Sequence, residues 1–177
     1  MPTMAKRKYH SHMKYLSIVS FLLLTYHINF AQTSPLKAFD NLVGGVWVSS
    51  FPESEEPRSQ SKMQFEYGLN KQMIKLKTYN NVKDPKKFEL HSEGIRVWDR
   101  KDSLIHFYEF DRKGSTYTGT VLIEGANIHY EYTYKNMQLR DSWIYKDKNT
   151  YEYTVGKWYK GRWEQIFFQH KFIRKRK

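Results

Sequence analysis

The side chains in this sequence best suited to chemistry are four histidines and one aspartate set in a mostly apolar run. His91, His106, His129 and His170 are the histidines beyond residue 31. A neutral imidazole can hold zinc or a haem iron, and it titrates near neutral pH. No two of the four stand at H-x-H or H-x-x-x-H spacing, which would put a pair on one face. By alternation His106 shares a face with Leu104, Tyr108 and Phe110, so it is the one expected to point inward. His129 alternates with Glu131 and Thr133, opposite Ile128, Tyr130 and Tyr132, and is expected outside. The expectation is no cofactor and no metal, with haem held through His106 as the alternative.

Among the carboxylates, Asp99, Asp102, Asp111 and Asp147 bracket turns, a common place for aspartate because it bonds nearby backbone amides. Asp141 is different. It lies within Leu139-Arg140-Asp141-Ser142-Trp143, on the face that carries Leu139 and Trp143. An inward carboxylate there either pairs with a neighbouring Arg or Tyr or orients a polar ligand. The chain has no cysteine, nucleophile motif, phosphate loop or dinucleotide fingerprint. Gly114, Gly119 and Gly125 are spaced as turn and strand-bend glycines. No catalytic residue is assigned, and a non-enzyme is the preferred reading. An isomerase or hydrolase working through Asp141 or His106 is the alternative.

The elements that must position these residues begin after residue 31. Lys6, Arg7, Lys8 and Lys14 give a basic start without an acid, and a mostly apolar run over 15–30 ends at the small Ala31. That order reads as a secretory signal peptide over 1–31, with Met13 a possible true start. A membrane anchor needs about 20 clean apolar residues, and Ser17, Ser20, Thr25, His27 and Asn29 interrupt this run. Residues 32–177 then form a single domain. Removing four basic residues from 30 leaves 26 against 18 acidic ones, a net charge of +8. Much of the excess sits in a tail, Lys171, Arg174, Lys175, Arg176 and Lys177, read as a solvated end and not as a nucleic-acid contact. Export without disulfides points to a secreted or periplasmic location.

A short helical lead-in, with Ser34 as N-cap candidate and Pro35 in the first turn, precedes Leu42-Val43-Gly44-Gly45-Val46-Trp47. Alternating segments then follow at 46–51, 62–68, 72–79, 88–91, 94–98, 104–110, 116–123, 127–134, 139–145, 151–155 and 162–173, parted by turn signals. The 88–91 and 94–98 segments read as broken at Ser92-Glu93-Gly94, and the polar loop at 52–59 and the Asp84-Pro85 stretch read as exposed. Short connections make neighbours antiparallel. About ten strands in a meander would leave two bare edges unless the sheet closes. The fold class is therefore all-β, a roughly ten-stranded antiparallel up-and-down barrel. A small outer-membrane barrel would need an unbroken apolar outer band. Lys75, Lys77, Arg96, Glu109, Glu124, Glu131 and Arg140 argue against that, so the mature chain is not expected to span a membrane.

These features resemble the lipocalin-like (calycin) group, in particular small exported bacterial members of unknown function. The resemblance rests on Gly45-Val46-Trp47 at the first strand and on Arg174 near the end of the last. It implies a barrel closed at one end by Gly45, Trp47 and Arg174, the basic group stacked over the indole. Ser49-Ser50 stand where haem-binding barrels of the nitrobindin kind carry a second glycine-rich repeat. The implied function is binding of a small apolar or amphipathic molecule. By alternation its pocket would draw on Phe65, Tyr67, Ile74, Leu76, His106, Tyr108, Tyr130, Tyr132, Trp143 and Trp163. A solid barrel that works through its outer face as an interaction module is the further alternative.

Overall fold

A three-residue repeat sets the first element. Leu36, Phe39 and Leu42 recur every third position, which aligns them on one face of a 3-10 helix but would fan them over about 120° of an α-helix. Pro35–Asn41 is a 3-10 helix, and all three side chains are fully buried. The computed structural model describes residues 34–51, 59–81 and 87–175. The signal peptide read over 1–31, the start at Met13, and most of the two loops at 52–59 and 80–87 lie outside those residues, as do Arg176 and Lys177.

Ten strands follow: β1 Val46–Ser50, β2 Ser61–Gly68, β3 Met73–Asn80, β4 Glu89–Asp99, β5 Leu104–Asp111, β6 Thr116–Glu124, β7 Asn127–Tyr134, β8 Met137–Asp147, β9 Thr150–Tyr159 and β10 Arg162–Lys175. Each pairs antiparallel with its neighbours in sequence, and β1 pairs with β10, so the sheet is a closed barrel. Tight turns dictate the meander. Lys135-Asn136 and Lys160-Gly161 both take positive φ at both positions, the twist that suits a two-residue hairpin. No helix among the described residues is long and apolar enough to cross a membrane.

Two expectations about the strands change. The segments at 88–91 and 94–98 are one strand, β4, which runs unbroken through Ser92-Glu93-Gly94. Gly94 serves a close approach there and not a turn. A Cβ on it would stand 2.5 Å from the Tyr108 carbonyl oxygen and 2.8 Å from Arg96 Nη1. The basic tail is also ordered as strand through Lys175, with Arg174 opposite Trp47 and Lys171 opposite Ser50.

One end of the barrel is stoppered. Trp47 is fully buried, donates its indole N–H to the Leu42 carbonyl at 2.9 Å, and meets Tyr151 edge-on at 5.3 Å. The Arg174 guanidinium carbon lies 4.8 Å from the Trp47 ring centre, and the group also donates to the Asn41 carbonyl. Gly45 leaves room for this stack, since a Cβ on it would sit 3.1 Å from the indole nitrogen and 3.2 Å from Arg174 Nε. The 3-10 helix packs over the same end with Phe39 against Phe65, ring centres 6.5 Å apart.

Candidate functional site

Above the stoppered end the interior turns polar. On β4 the inward face reads Ser92, Gly94 and Arg96, and on β5 it reads Ile105, Phe107 and Glu109. Arg96 is opposite Phe107 and Gly94 is opposite Glu109, so the two charges are diagonal neighbours across the ladder. Arg96 Nη2 donates to Glu109 Oε2 at 2.8 Å, and Arg96 Nε donates to the Tyr130 hydroxyl at 3.2 Å. Ser92 Oγ donates to the other Glu109 oxygen at 2.7 Å. Burial alone would lower the Arg96 pKa, but Tyr130 and Glu109 together outweigh it and hold the guanidinium charged.

Across the barrel, alternation on β8 turns Leu139, Asp141 and Trp143 inward. Asp141 Oδ1 accepts from the Tyr132 hydroxyl at 3.0 Å, and Oδ2 accepts from the Tyr153 hydroxyl at 2.9 Å. Burial pushes the Asp141 carboxyl up from 3.8 to about 6, against the pull of the two hydroxyls. Burial, with the Asp141 charge beside them, raises the pKa of both tyrosines, so they stay protonated donors.

Between these two clusters lies a cavity of about 180 Å³. Met63 of β2, Leu76 of β3, Tyr117 of β6 and Trp143 of β8 line it together with Arg96, Phe107, Glu109, Tyr130, Tyr132, Asp141 and Tyr153. Eight strands, β2 to β9, thus contribute to one interior space.

The residues expected to line a pocket divide into three groups. Leu76, Tyr130, Tyr132 and Trp143 line the cavity. Phe65 and Ile74 face inward but are fully buried in the core, and Tyr67 is half-buried with its hydroxyl on Asp40 beside the 3-10 helix. His106, Tyr108 and Trp163 lie on the outer face, which corrects their assignment. On β5 the buried positions are Ile105 and Phe107, whereas Leu104, Tyr108 and Phe110 are exposed. Both faces of that strand are apolar, so alternation alone does not choose between them. The Arg96–Glu109 pair decides, because it gives Glu109 an inward partner. Trp163 is in register with Trp158 and meets it at 5.0 Å, beside the Arg140 guanidinium, which lies 3.9 Å from the Trp158 ring centre.

His106 on the outer face also loses the geometry for an interior haem. Its Nε2 is 2.6 Å from Asp102 Oδ2. Asp99, Asp102 and His106 offer three ligand atoms within 4.8 Å of one another, an oxygen-rich set suited to a divalent cation. Two carboxylate oxygens of that set already accept backbone amides of Lys101 and Leu104. His129 lies on the outer face as expected, yet it is covered: Nδ1 is 2.8 Å from Ser142 Oγ and Nε2 is 3.4 Å from Glu124. Desolvation and then the Arg140 charge lower its pKa.

Sequence reading missed Arg96, Glu109, Phe107, Tyr117, Met63 and Tyr153 as lining residues. A signal existed for the first two. Opposite charges at diagonal positions of a hairpin, with a glycine beside the arginine, mark a pair that needs backbone room. No protein-family model matches the chain, and a search of curated proteins gives no match.

Proposed function

We propose that this protein binds a small amphipathic molecule inside its barrel, as a lipocalin-like binding protein working outside the cytoplasm. One observation carries the reading: an interior space of about 180 Å³ with aromatic walls and hydrogen-bonded charged groups. An apolar cavity of roughly 150 Å³ accepts benzene, so a ligand of about six to ten non-hydrogen atoms fits. The lipocalin-like assignment is supported by Gly45-Val46-Trp47 under Arg174. Export is supported by the basic, apolar and small-residue order of 1–31.

Native mass spectrometry of gently purified protein tests the reading. The expected spectrum carries a small added mass that dissociates at higher collision energy. A bare spectrum, together with no thermal shift across a panel of amphiphiles of that size, rules the reading out. The same spectrum tests export, because a processed chain would begin at Gln32.

A second reading has its own observation. Asp141, with a pKa near 6 inside the cavity, is poised to take up or release a proton at neutral pH. An isomerase or hydrolase using it would lose turnover in Asp141→Asn while keeping ligand affinity. Loss of affinity alone would leave Asp141 a binding group.

A further inference from the structure

We infer that the cavity takes a small organic cation, an ammonium on a compact aromatic or aliphatic frame, held by the Asp141 carboxylate among aromatic faces. The inference rests on the small-molecule reading above and specifies the charge of the ligand.

A charge census leads there. Among the described residues, Arg96, Glu109 and Asp141 are the charged ones lining the space. Arg96 and Glu109 cancel one another at 2.8 Å, and their other contacts are taken by Tyr130 and Ser92. Arg96 Nη1 is buried without a hydrogen-bond partner, but the guanidinium it belongs to is already balanced by Glu109. An anionic ligand therefore meets no unbalanced cation among the described lining residues.

Among the described residues Asp141 has no cation in contact. Its two oxygens accept one tyrosine hydroxyl each, whereas a carboxylate has about four lone-pair sites, so two remain for a ligand donor. Tyr132, Tyr153, Trp143 and Phe107 line the same cavity, and an aromatic ring attracts a cation to its face. An ionised Asp141 half-buried without a contacting cation among the described residues is unfavourable, which its pKa near 6 reflects, and an ammonium relieves that cost. Tyr132, Tyr153, Glu109 and Arg96 are the other titratable groups acting on it, and none supplies a free positive charge.

Calorimetric titration with three probes of matched size tests the inference: benzylammonium, benzyl alcohol and benzoate at pH 7.5. Benzylammonium is expected to bind at least tenfold more tightly than either other probe. Lowering the pH to 5 should weaken it about tenfold, the fraction set by a carboxyl of pKa near 6. Asp141→Asn should remove the preference for benzylammonium over benzyl alcohol. Should that variant fail to fold, the wild type still decides: at pH 6 benzylammonium binding should release about half a proton to buffer, and no release overturns the inference. Tightest binding of benzoate or benzyl alcohol overturns the cation assignment and leaves the small-molecule reading standing. No binding of any probe overturns the inference, and the native spectrum then decides the small-molecule reading separately.

Discussion

His170 and Asp141 both face the interior, and they pull stability in opposite directions as the pH falls. Both ring nitrogens of His170 are buried without a partner, among Phe51, Tyr153, Phe168 and Phe172. Burial pushes its pKa from 6.5 down to about 4. Below pH 6.5 the unfolded chain takes up a proton there that the fold refuses. The His170 contribution is thus present above pH 6.5 and is lost as the pH falls toward 4. Asp141, raised from 3.8 to about 6, does the reverse: its contribution is present below pH 3.8 and is lost as the pH rises through 6. Between pH 7 and 4.5, after allowance for partial solvent screening of His170, each contribution changes by about 2 kcal/mol. Relative to wild type, His170→Phe is expected to gain about that much stability between pH 7 and 4.5, and Asp141→Asn to lose it. Denaturant midpoints measured across that range check both, and parallel wild-type and His170→Phe curves would mean that the imidazole is not held neutral.

At the scale of elements, β4 and β5 carry the polar interior, and their pairing depends on Gly94 and on the Arg96–Glu109 pair. Gly94→Ala would press a methyl onto the Tyr108 carbonyl at 2.5 Å, where backbone has to move. The expected cost is about 2 kcal/mol, read from chemical denaturation. Arg96→Met leaves the part-buried Glu109 without its cation and is expected to cost about 3 kcal/mol, the low end for a buried pair. Adding Glu109→Gln should recover much of that loss, because the orphaned charge goes with it. A double-mutant cycle showing simple additivity would mean that the two side chains do not act as a pair. The facing of β5 is also the least determined by its sequence pattern. Leu104, His106, Tyr108 and Phe110 form a stripe as apolar as the buried one, and a one-residue change of facing exchanges the two.

At the scale of the whole molecule, closure depends on one short strand. β1 pairs with β10 only from Val46↔Lys175 to Ser50↔Lys171, so Arg162–His170 has no β1 partner among the described residues. Trp47 fills the end that this seam closes, and Trp47→Ala is expected to cost about 3–5 kcal/mol. An unchanged melting curve would show that the indole is not the stopper. On the unpaired flank Ile166, Phe167 and Phe168 are exposed at 47%, 41% and 45%. An apolar strand edge invites association. Phe167→Lys should leave the melting temperature within about 2 °C while reducing concentration-dependent light scattering.

The sequence by itself determined the class of fold and its stopper. Period-two alternation, turn residues at short intervals and Gly45-Val46-Trp47 with Arg174 are local patterns, and a meander of short hairpins has few other ways to cover its edges. It also placed Asp141 beside Trp143 on an inward face. Only the tertiary structure decided which face of β5 is inside, that Ser92-Glu93-Gly94 continues a strand, and that Arg96 answers Glu109. Those outcomes depend on register between strands and on the partner each buried charge finds, and neither is contained in the pattern of a single segment.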